Sequence, residues 1–367
     1  QYNTAVGAGS LQLNTTASNN TAVGYKAGYS NTTGAYNTFL GDIAGRDNTT
    51  GSANTAVGYG SMFEGTTTGS SNTAVGTVSM QNLSSGSYNV AIGTDSLKAN
   101  TTASQNTAVG YQSLYTNTTG ASLSAVGVGA LYANTTGSNN VAMGTSSLVS
   151  NTTGASNTGL GRDALRSNTT ASNNTAVGYQ AGYSNTTGDR HVALGYSALK
   201  DNTTGYRNNA IGYLALTTNT TGFQNNALGV NALRYNTTGS NNTAVGHEAG
   251  LSVTTAIENT LIGGLAGDAI TTGNSNVAVG YLSLSANTTG ASNVGIGVIA
   301  LDANTTGSDN VGMGRGALGA NTTASNNTAV GGLALSSNTT ASSNTAVGYL
   351  ALTANTTADY NTAVGGN

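Results

Sequence analysis

The chain has 367 residues, of which 10 are basic, 13 acidic and two histidine, so its net charge is −3. It contains no cysteine, proline or tryptophan, which excludes a disulfide framework, a thiolate metal site and a cysteine nucleophile. This sparse, balanced charge lacks the basic footprint of a nucleic-acid-binding protein. No apolar run approaches the length that spans a bilayer, and the first residues lack the basic and apolar segments of a signal peptide, so we expect no membrane insertion.

A single repeat of seventeen residues runs through the chain. Its most regular feature, here called the repeat glycine, closes the phrase Asn-Thr-Ala-Val-Gly and recurs in 22 copies from Gly7 to Gly365. One extra residue at 66–68 is the only break in the period. We therefore predict one continuous repeat array over residues 1–367 with no domain boundary.

Positions in the repeat are numbered from the repeat glycine. Position −1 is always apolar, and position −2 is mostly alanine or glycine, with Phe39 and Leu261 as larger exceptions. Position −4 is asparagine in 20 of 22 copies, the exceptions being Leu123 and His191. Position +4 is mainly leucine, but five copies carry glycine there. Position +1 varies freely.

The period predicts an all-β fold. Seventeen residues are too few for helical-pair repeats, and threonine, asparagine and glycine disfavour helices. We predict a parallel β-solenoid, or β-roll, with one seventeen-residue coil per repeat and about 22 coils; a spacing of ~4.8 Å makes a rod of roughly 100 Å. Each coil has a main strand at Thr-Ala-Val, a second short strand that supplies the leucine, and a turn at Asn-Thr-Thr-Gly.

Alternation along the main strand separates its side chains into two faces. We assign positions −3 and −1 to the interior, which leaves an outward stripe of alanine and glycine at position −2. Such a stripe predicts an interchain seam, with Ala176, Ala193 and Ala210 as candidate self-association residues. The alternative is that small residues only ease packing of the coils. The asparagines at position −4 are expected to form a hydrogen-bonded ladder.

The recurrent Asn-Thr-Thr turn matches the N-glycosylation sequon. A glycan coat would help to explain the solubility of a rod with so few charges. The alternative is a turn ladder of asparagine and threonine, since coils ~4.8 Å apart leave little room for sugars. The candidate glycosylation sites are Asn14, Asn31, Asn48, Asn100, Asn117, Asn134, Asn151, Asn168, Asn185, Asn202, Asn219, Asn236, Asn287, Asn304, Asn321, Asn338 and Asn355.

Segments such as Asn-Val-Ala-Ile-Gly at 89–93 and Asn-Val-Ala-Met-Gly at 140–144, each followed by alanine or serine three residues on, resemble the head repeats of YadA-like trimeric autotransporter adhesins. They are also similar to shaft repeats of some phage tail fibres. The resemblance implies a left-handed parallel β-roll, three chains to a head and a role in attachment. The period of seventeen is longer than that family's coil, and no coiled-coil stalk or membrane anchor is visible.

Residues for catalysis are scarce, and we predict no catalytic, cofactor or metal site. The densest polar clusters, 189–191 and 247–248, are interpreted as exposed turn residues, and the Gly-x-Gly matches lack the strand–turn–helix context of a phosphate site. Tyrosines recur at position +1, where they either cover the edge of the core or stack on carbohydrate. These are Tyr25, Tyr59, Tyr111, Tyr179, Tyr196, Tyr213, Tyr281 and Tyr349.

Together these features favour a non-enzymatic extracellular structural fibre, adhesin-type head or tail-fibre shaft at a cell or virion surface. We expect its partner to be itself, as a trimer or an end-to-end filament, with surface glycans or a host receptor as further partners. The alternative is an ice- or carbohydrate-binding β-solenoid, although the paired threonines of the turn are consecutive and cannot both face one plane. A polysaccharide lyase is disfavoured because the acids and bases are not clustered.

Overall fold

The computed structural model describes residues 2–366 and contains 22 strands of three residues, one in each repeat. The described residues contain no helix. The strands fall into two compact units, Gln1–Thr187 and Gly188–Asn367, and within each unit neighbouring strands pair in parallel. The predicted all-β parallel solenoid with one coil per repeat is confirmed.

The first unit holds eleven strands: β1 (Thr4–Val6), β2 (Thr21–Val23), β3 (Thr38–Leu40), β4 (Thr55–Val57), β5 (Thr73–Val75), β6 (Val90–Ile92), β7 (Thr107–Val109), β8 (Ser124–Val126), β9 (Val141–Met143), β10 (Thr158–Leu160) and β11 (Thr175–Val177). The second unit also holds eleven: β12 (Val192–Leu194), β13 (Asn209–Ile211), β14 (Asn226–Leu228), β15 (Thr243–Val245), β16 (Thr260–Ile262), β17 (Val277–Val279), β18 (Val294–Ile296), β19 (Val311–Met313), β20 (Thr328–Val330), β21 (Thr345–Val347) and β22 (Thr362–Val364).

Equivalent residues of successive coils lie opposite each other. Ala5 pairs with Ala22, and across the extra residue at 66–68 Thr55 still pairs with Thr73. The insertion is therefore absorbed in a turn and does not shift the strand register. Equivalent rings stack at 5.0 Å between Tyr115 and Tyr132, close to the ~4.8 Å expected between parallel strands.

The repeat glycine ends every strand for two steric reasons. Gly110 has a φ of +131°, which L side chains rarely adopt. A Cβ atom at this position would also lie 2.6 Å from the carbonyl oxygen of Gly127 in the next coil. Any other residue would push the coils apart.

The leucine of position +4 comes from a turn, so the predicted second strand is wrong. Leu114 and Leu131 both have a φ of +52°, a left-handed conformation that costs about 1–2 kcal/mol. Both side chains are fully buried, and the Leu114 amide donates to the carbonyl of Ala130 (3.0 Å). Burying a leucine gains about 1.5–3 kcal/mol, which offsets the strain.

The two faces of the main strand are the reverse of our assignment. In most strands the middle residue is buried, while the residues on either side are half-buried or exposed. The leucine of position +4 already fills most of the interior of the narrow coil. The space that remains holds only a small residue, so the middle residue of the strand lies inside. At Gly312, which stands where most coils have alanine, a Cβ atom would lie 3.1 Å from Leu301 Cγ, so little beyond one methyl group fits.

A larger residue at position −2 is accommodated by glycine at position +4. Phe39 is fully buried, and the coils on either side of it carry Gly28 and Gly45 where leucine is usual. A Cβ atom at Gly28 would lie 2.6 Å from the Phe39 ring. The phenylalanine therefore occupies the volume that two leucines vacate.

The second unit repeats this exchange at Leu261. A Cβ atom at Gly250 or Gly267 would lie 2.7 Å from a Leu261 methyl group. Val253 and Ile270, which stand at position +7 in place of asparagine, are also fully buried there. This local core is apolar where other coils carry an amide.

Candidate functional surface

The asparagines at position −4 form the predicted ladder. Asn225 Nδ2 donates to the carbonyl of Gly239 (2.8 Å), and its Oδ1 accepts from the backbone amide of Asn242 (3.0 Å). Both residues of the ladder are fully buried. Each side chain therefore joins its coil to the next through hydrogen bonds with backbone groups.

A second ladder, which we did not predict as buried, runs through the asparagine of the Asn-Thr-Thr turn at position +7. Asn134 Nδ2 donates to Asn117 Oδ1 and to the carbonyl of Gly137, both at 2.9 Å. Its Oδ1 accepts from Asn151 Nδ2, also at 2.9 Å. The adjacent turn threonines point outward, as Thr136 is exposed.

Glycosylation requires an asparagine on the surface, and this prediction is wrong for most of the candidate asparagines. Asn14 and Asn355 are half-buried, and the other fifteen have no exposed area. A glycan on Nδ2 would replace a buried donor hydrogen and has no space between the coils. The fifteen are Asn31, Asn48, Asn100, Asn117, Asn134, Asn151, Asn168, Asn185, Asn202, Asn219, Asn236, Asn287, Asn304, Asn321 and Asn338.

The candidate self-association residues also lie inside. Ala176 and Ala210 are 0% exposed and Ala193 is 1% exposed. Their methyl groups face the interior of the coil, so they cannot form an interchain seam, and that prediction is wrong. The alternative interpretation, in which small residues ease packing of the coil, agrees with the structure.

The face that is turned outward consists of positions −3 and −1, here called the strand face. Position −1 is apolar in all 22 copies, yet Leu40, Met143 and Leu228 are 46–47% exposed. Position −3 carries threonine, valine, serine or asparagine, and neither position carries a charge in any copy. The strand face is a regular, uncharged and largely apolar surface.

The area of the strand face follows from the strand geometry. Eleven coils at ~4.8 Å and strands of three residues at ~3.3 Å give about 500 Å² in each unit. A monomer rarely exposes apolar patches larger than a few hundred Å² without a function for them. The strand face is therefore the candidate functional surface of the chain.

The tyrosines at position +1 lie beside the strand face and are exposed, from 37% at Tyr179 to 61% at Tyr349. Tyr196 and Tyr213 stack on each other at 5.3 Å, and Lys26 lies 5.2 Å from the centre of the Tyr25 ring. Where rings stack along the coils, their faces are covered by neighbours and sugars have mainly ring edges to contact.

His191 takes the place of a ladder asparagine and is buried, so its interpretation as an exposed turn residue is wrong. Its Nδ1 accepts from the backbone amide of Asn208 (3.2 Å), its Nε2 lies 3.2 Å from Asn202 Nδ2, and the ring also hydrogen-bonds the backbone of Gly205. Burial lowers the pKa of the imidazole to about 4, while the hydrogen bond with Gly205 and the charge of Asp189 act in the opposite direction. The ring therefore stays neutral at pH 7 and reproduces the acceptor and donor of an asparagine.

Within residues 2–366 there is no group of three or more histidine, cysteine, aspartate or glutamate side chains placed to hold a metal ion. No helix that could cross a membrane occurs in this part of the chain. No model of a known protein family matches the chain, and no curated protein matches it.

Proposed function

We propose that the chain is a non-enzymatic structural fibre segment that associates with further copies of itself through the strand face. Its place would be outside the cell, in an adhesin-type head or in a shaft on a cell or virion surface. The observation that carries the proposal is the persistent apolar character of position −1, which is half-buried or exposed in the single chain. A position that contacts only solvent tolerates charged side chains, so solvent contact does not explain why all 22 copies lack a charge there.

Charge is tolerated elsewhere on the surface. Position +1 carries Asp42 and Arg162, and position +5 carries Lys98 and Arg166. Proteins that leave a sheet surface in water usually place such residues on it, and uncharged β surfaces favour association. Charged residues are absent from the strand face but present beside it, and this is the pattern of a surface that another molecule covers.

A second copy of the chain is the partner that fits best. A partner must offer an uncharged surface that repeats every ~4.8 Å over many coils, and another copy has this period by construction. The strand face of each unit offers about 500 Å², more than half of the ~800 Å² per partner of a standard interface. Closed symmetry would bury the same surface on every copy, as in the trimeric heads that the repeats resemble.

Lysine substitutions on the strand face provide the test. Replacing Leu194, Leu228 and Ile262 by lysine places three charges in the proposed interface, so we expect the oligomer to dissociate into monomers. A matched control replaces the exposed turn threonines Thr204, Thr238 and Thr272, which have the same spacing. Light scattering gives the mass of each variant, and circular dichroism checks its β content.

The proposal requires an oligomeric wild type, an oligomeric control and a dissociated strand-face variant. A wild type that stays monomeric at every concentration would refute it. Equal masses for both folded variants would place the interface elsewhere.

A second candidate function rests on the same surface. The strand face presents threonine at −3 and valine at −1 in regular rows, as in Thr107 and Val109, so its threonines can share a plane although the turn threonines cannot. Such an array favours ice binding if the chain is monomeric. Thermal hysteresis in a monomeric sample, abolished by the three strand-face lysines, would support this alternative in place of the fibre.

A further inference from the structure

Three positions of the repeat change together in three successive coils of the second unit, those of β12, β13 and β14. In these coils alone, position −6 is aromatic, position −5 is basic and position −3 is asparagine. The residues concerned, here called the arginine patch, are Arg190, Tyr206, Arg207, Asn209, Phe223 and Asn226. Other coils fold with serine or threonine at these positions, so packing of the coil does not require the change. A feature confined to three coils of a uniform array points to a local function.

The arginine patch lies on one outer side of its coils. Along the chain, Arg207 and Asn209 are exposed and flank the buried Asn208, so both point away from the core. Between coils, the Arg207 amide donates to the carbonyl of Asp189 (2.9 Å), which sets Arg207 beside Arg190 at the coil spacing of ~4.8 Å. The two arginines are therefore neighbours, and they border the strand face on the side of position −3.

The positive charge of the patch is only partly neutralised. Asp189 Oδ2 lies 3.7 Å from Arg190 Nε, which is a long ion pair. Arg207 forms no ion pair with any described residue, and its guanidinium carbon lies 5.7 Å from the centre of the Tyr206 ring. Like charges on neighbouring coils repel each other, as they do across a sheet. A guanidinium group has five N–H donors, so both arginines have donors to offer to an anion that would relieve this repulsion.

The two aromatic rings add an apolar surface beside the arginines. Tyr206 and Phe223 stack with their ring centres 4.9 Å apart and their planes parallel. Tyr206 is 37% exposed, and Phe223 is half-buried. Each ring replaces a residue type whose hydroxyl accepts an amide of the preceding coil, as Ser240 accepts the Phe223 amide (3.1 Å). The coils therefore give up hydrogen-bond acceptors to present ring edges, which suit a ligand with both apolar and polar surface.

The asparagines supply a donor and an acceptor on the other side of the arginines. Asn209 Nδ2 donates to Asn226 Oδ1 at 2.7 Å, and neither side chain forms another hydrogen bond with the described residues. Asn209 Oδ1 therefore remains an acceptor, and each Nδ2 keeps a hydrogen to donate. A hydroxyl group both donates and accepts, so neighbouring hydroxyls of one ligand can use both groups at once.

We propose that the arginine patch binds an acidic saccharide, in which a carboxylate stands beside free hydroxyl groups, as in a uronic-acid residue. The planar guanidinium groups of Arg190 and Arg207 hold the carboxylate through paired hydrogen bonds. The asparagines bind hydroxyl groups, and the ring edges contact C–H groups of the sugar. The site belongs to one chain, so it does not rest on the proposed self-association. Positions −6 and −5 lie outside the strand face, and copies that associate through that face leave the arginines and the rings accessible.

Other anionic partners fit the patch less well. A peptide would add to a free strand edge, but β13 is paired on both sides, with β12 and with β14. A nucleic acid needs a longer run of positive charge to neutralise its phosphates. A phosphate or sulfate ion alone would leave the rings and the asparagines without a contact.

Titration calorimetry of the full chain tests the ligand class. The probe is an oligogalacturonate, compared with a neutral galacto-oligosaccharide of the same length and with a polyglutamate peptide. We expect the oligogalacturonate to bind, with an affinity that falls as salt rises, and the other two to bind at least tenfold more weakly. Equal binding of the neutral sugar would overturn the role of the arginines, and equal binding of polyglutamate would overturn the choice of a saccharide. A chain that does not bind the oligogalacturonate would refute the proposal.

Variants that restore the usual residues of the repeat locate the site. Arg190→Ser with Arg207→Ser should weaken binding by about tenfold or more for each arginine, since hydrogen bonds to charged groups contribute strongly. Lysine at both positions keeps the charge but loses the planar fork, so we expect an intermediate affinity. The matched control, Arg234→Ser with Arg315→Thr, removes two charges elsewhere and uses residues found at those positions in other coils. A control that loses as much affinity would show that only net charge matters and would overturn the site.

A second pair of variants leaves the charge unchanged. Tyr206→Ser with Phe223→Ser introduces the commonest residue of position −6, and circular dichroism checks that the β content is kept. We expect binding of the oligogalacturonate to weaken by about two- to tenfold. An affinity equal to that of the wild type would leave a simple anion site and would refute recognition of the sugar.

Discussion

Acidification is expected to loosen the coil around His191. The imidazole must stay neutral for Nδ1 to accept the Asn208 amide, which lies 3.2 Å away. Protonation would place a hydrogen on Nδ1 facing that amide and would leave a charge in a buried site. The folded chain therefore resists protonation, whereas an opened coil accepts a proton freely.

The direction and size of the change in stability with pH follow from the pKa values of His191. The pKa of His191 falls from 6.5 in an open chain to about 4 in the folded coil, so the open state binds more protons between these values. The contribution of neutral His191 to the stability of the coil is complete above pH 6.5 and is lost as the pH falls towards 4. At about 1.4 kcal/mol per pKa unit, the loss is about 2 kcal/mol at pH 5 and about 3 kcal/mol below pH 4.

Hydrogen exchange of the Asn208 amide is the direct assay, with His191→Asn as the matched variant. Asparagine should accept the same amide through Oδ1, as Asn208 Oδ1 accepts the Asn225 amide at 2.9 Å. We expect the free energy of opening at Asn208 to fall by about 2 kcal/mol more in the wild type than in the variant between pH 7 and pH 5. Both chains share the carboxylates that titrate in this range, so their contribution largely cancels in the comparison. The same loss of protection in both chains would refute the reasoning.

Two further predictions concern the interior. Asn134→Ala removes two hydrogen bonds of 2.9 Å and leaves the amide of the next coil without its acceptor, so we expect a loss of about 2–4 kcal/mol in urea unfolding, against less than about 0.5 kcal/mol for the exposed Thr136→Ala. Phe39→Ala leaves a cavity and should cost about 3–5 kcal/mol. Adding Gly45→Leu restores the usual pair of residues and should recover at least half of that loss; a double variant no more stable than the single one would show that the two positions do not share volume.

The repeat period predicted the fold because few architectures return every seventeen residues. The repeat glycine and the asparagine of position −4 were also interpreted correctly, since each has one dominant physical use. Gly110 combines a positive φ with a close carbonyl, and Asn225 links successive coils. Such residues are informative without knowledge of the surrounding packing.

The direction of the strand faces was not predictable from alternation alone. A Thr-Ala-Val strand separates alanine from its neighbours whichever face lies inside. The deciding quantity is the volume left by the leucine of position +4, which comes from a turn and not from a strand. One signal in the sequence did identify the inner face: Phe39 occurs between Gly28 and Gly45, an exchange of volume that only neighbours in a core would need.

The sequon asparagines were misplaced for a related reason. Asn-Thr-Thr favours a turn in either interpretation, and a turn is usually exposed. In this coil the asparagine points inward and only the threonines point out, as at Asn134 and Thr136. His191 was misplaced because a histidine beside Asp189 suggests a polar surface, whereas its position in the repeat demanded the hydrogen-bonding pattern of an asparagine.

Substitutions in the core and on the strand face follow different rules, and the difference bears on function. Each large residue at position −2 is matched by glycines within its own unit, because the core has a fixed volume to divide. At position −1 the chain exchanges valine for larger residues such as Met143 and Met313, which are 46% and 39% exposed, and their bulk extends outward where no residue of the same coil limits it. Volume inside the coil therefore does not explain why this position stays apolar. The proposed self-association would supply a constraint that holds in all 22 copies, because another array with the same period would apply it equally to every coil.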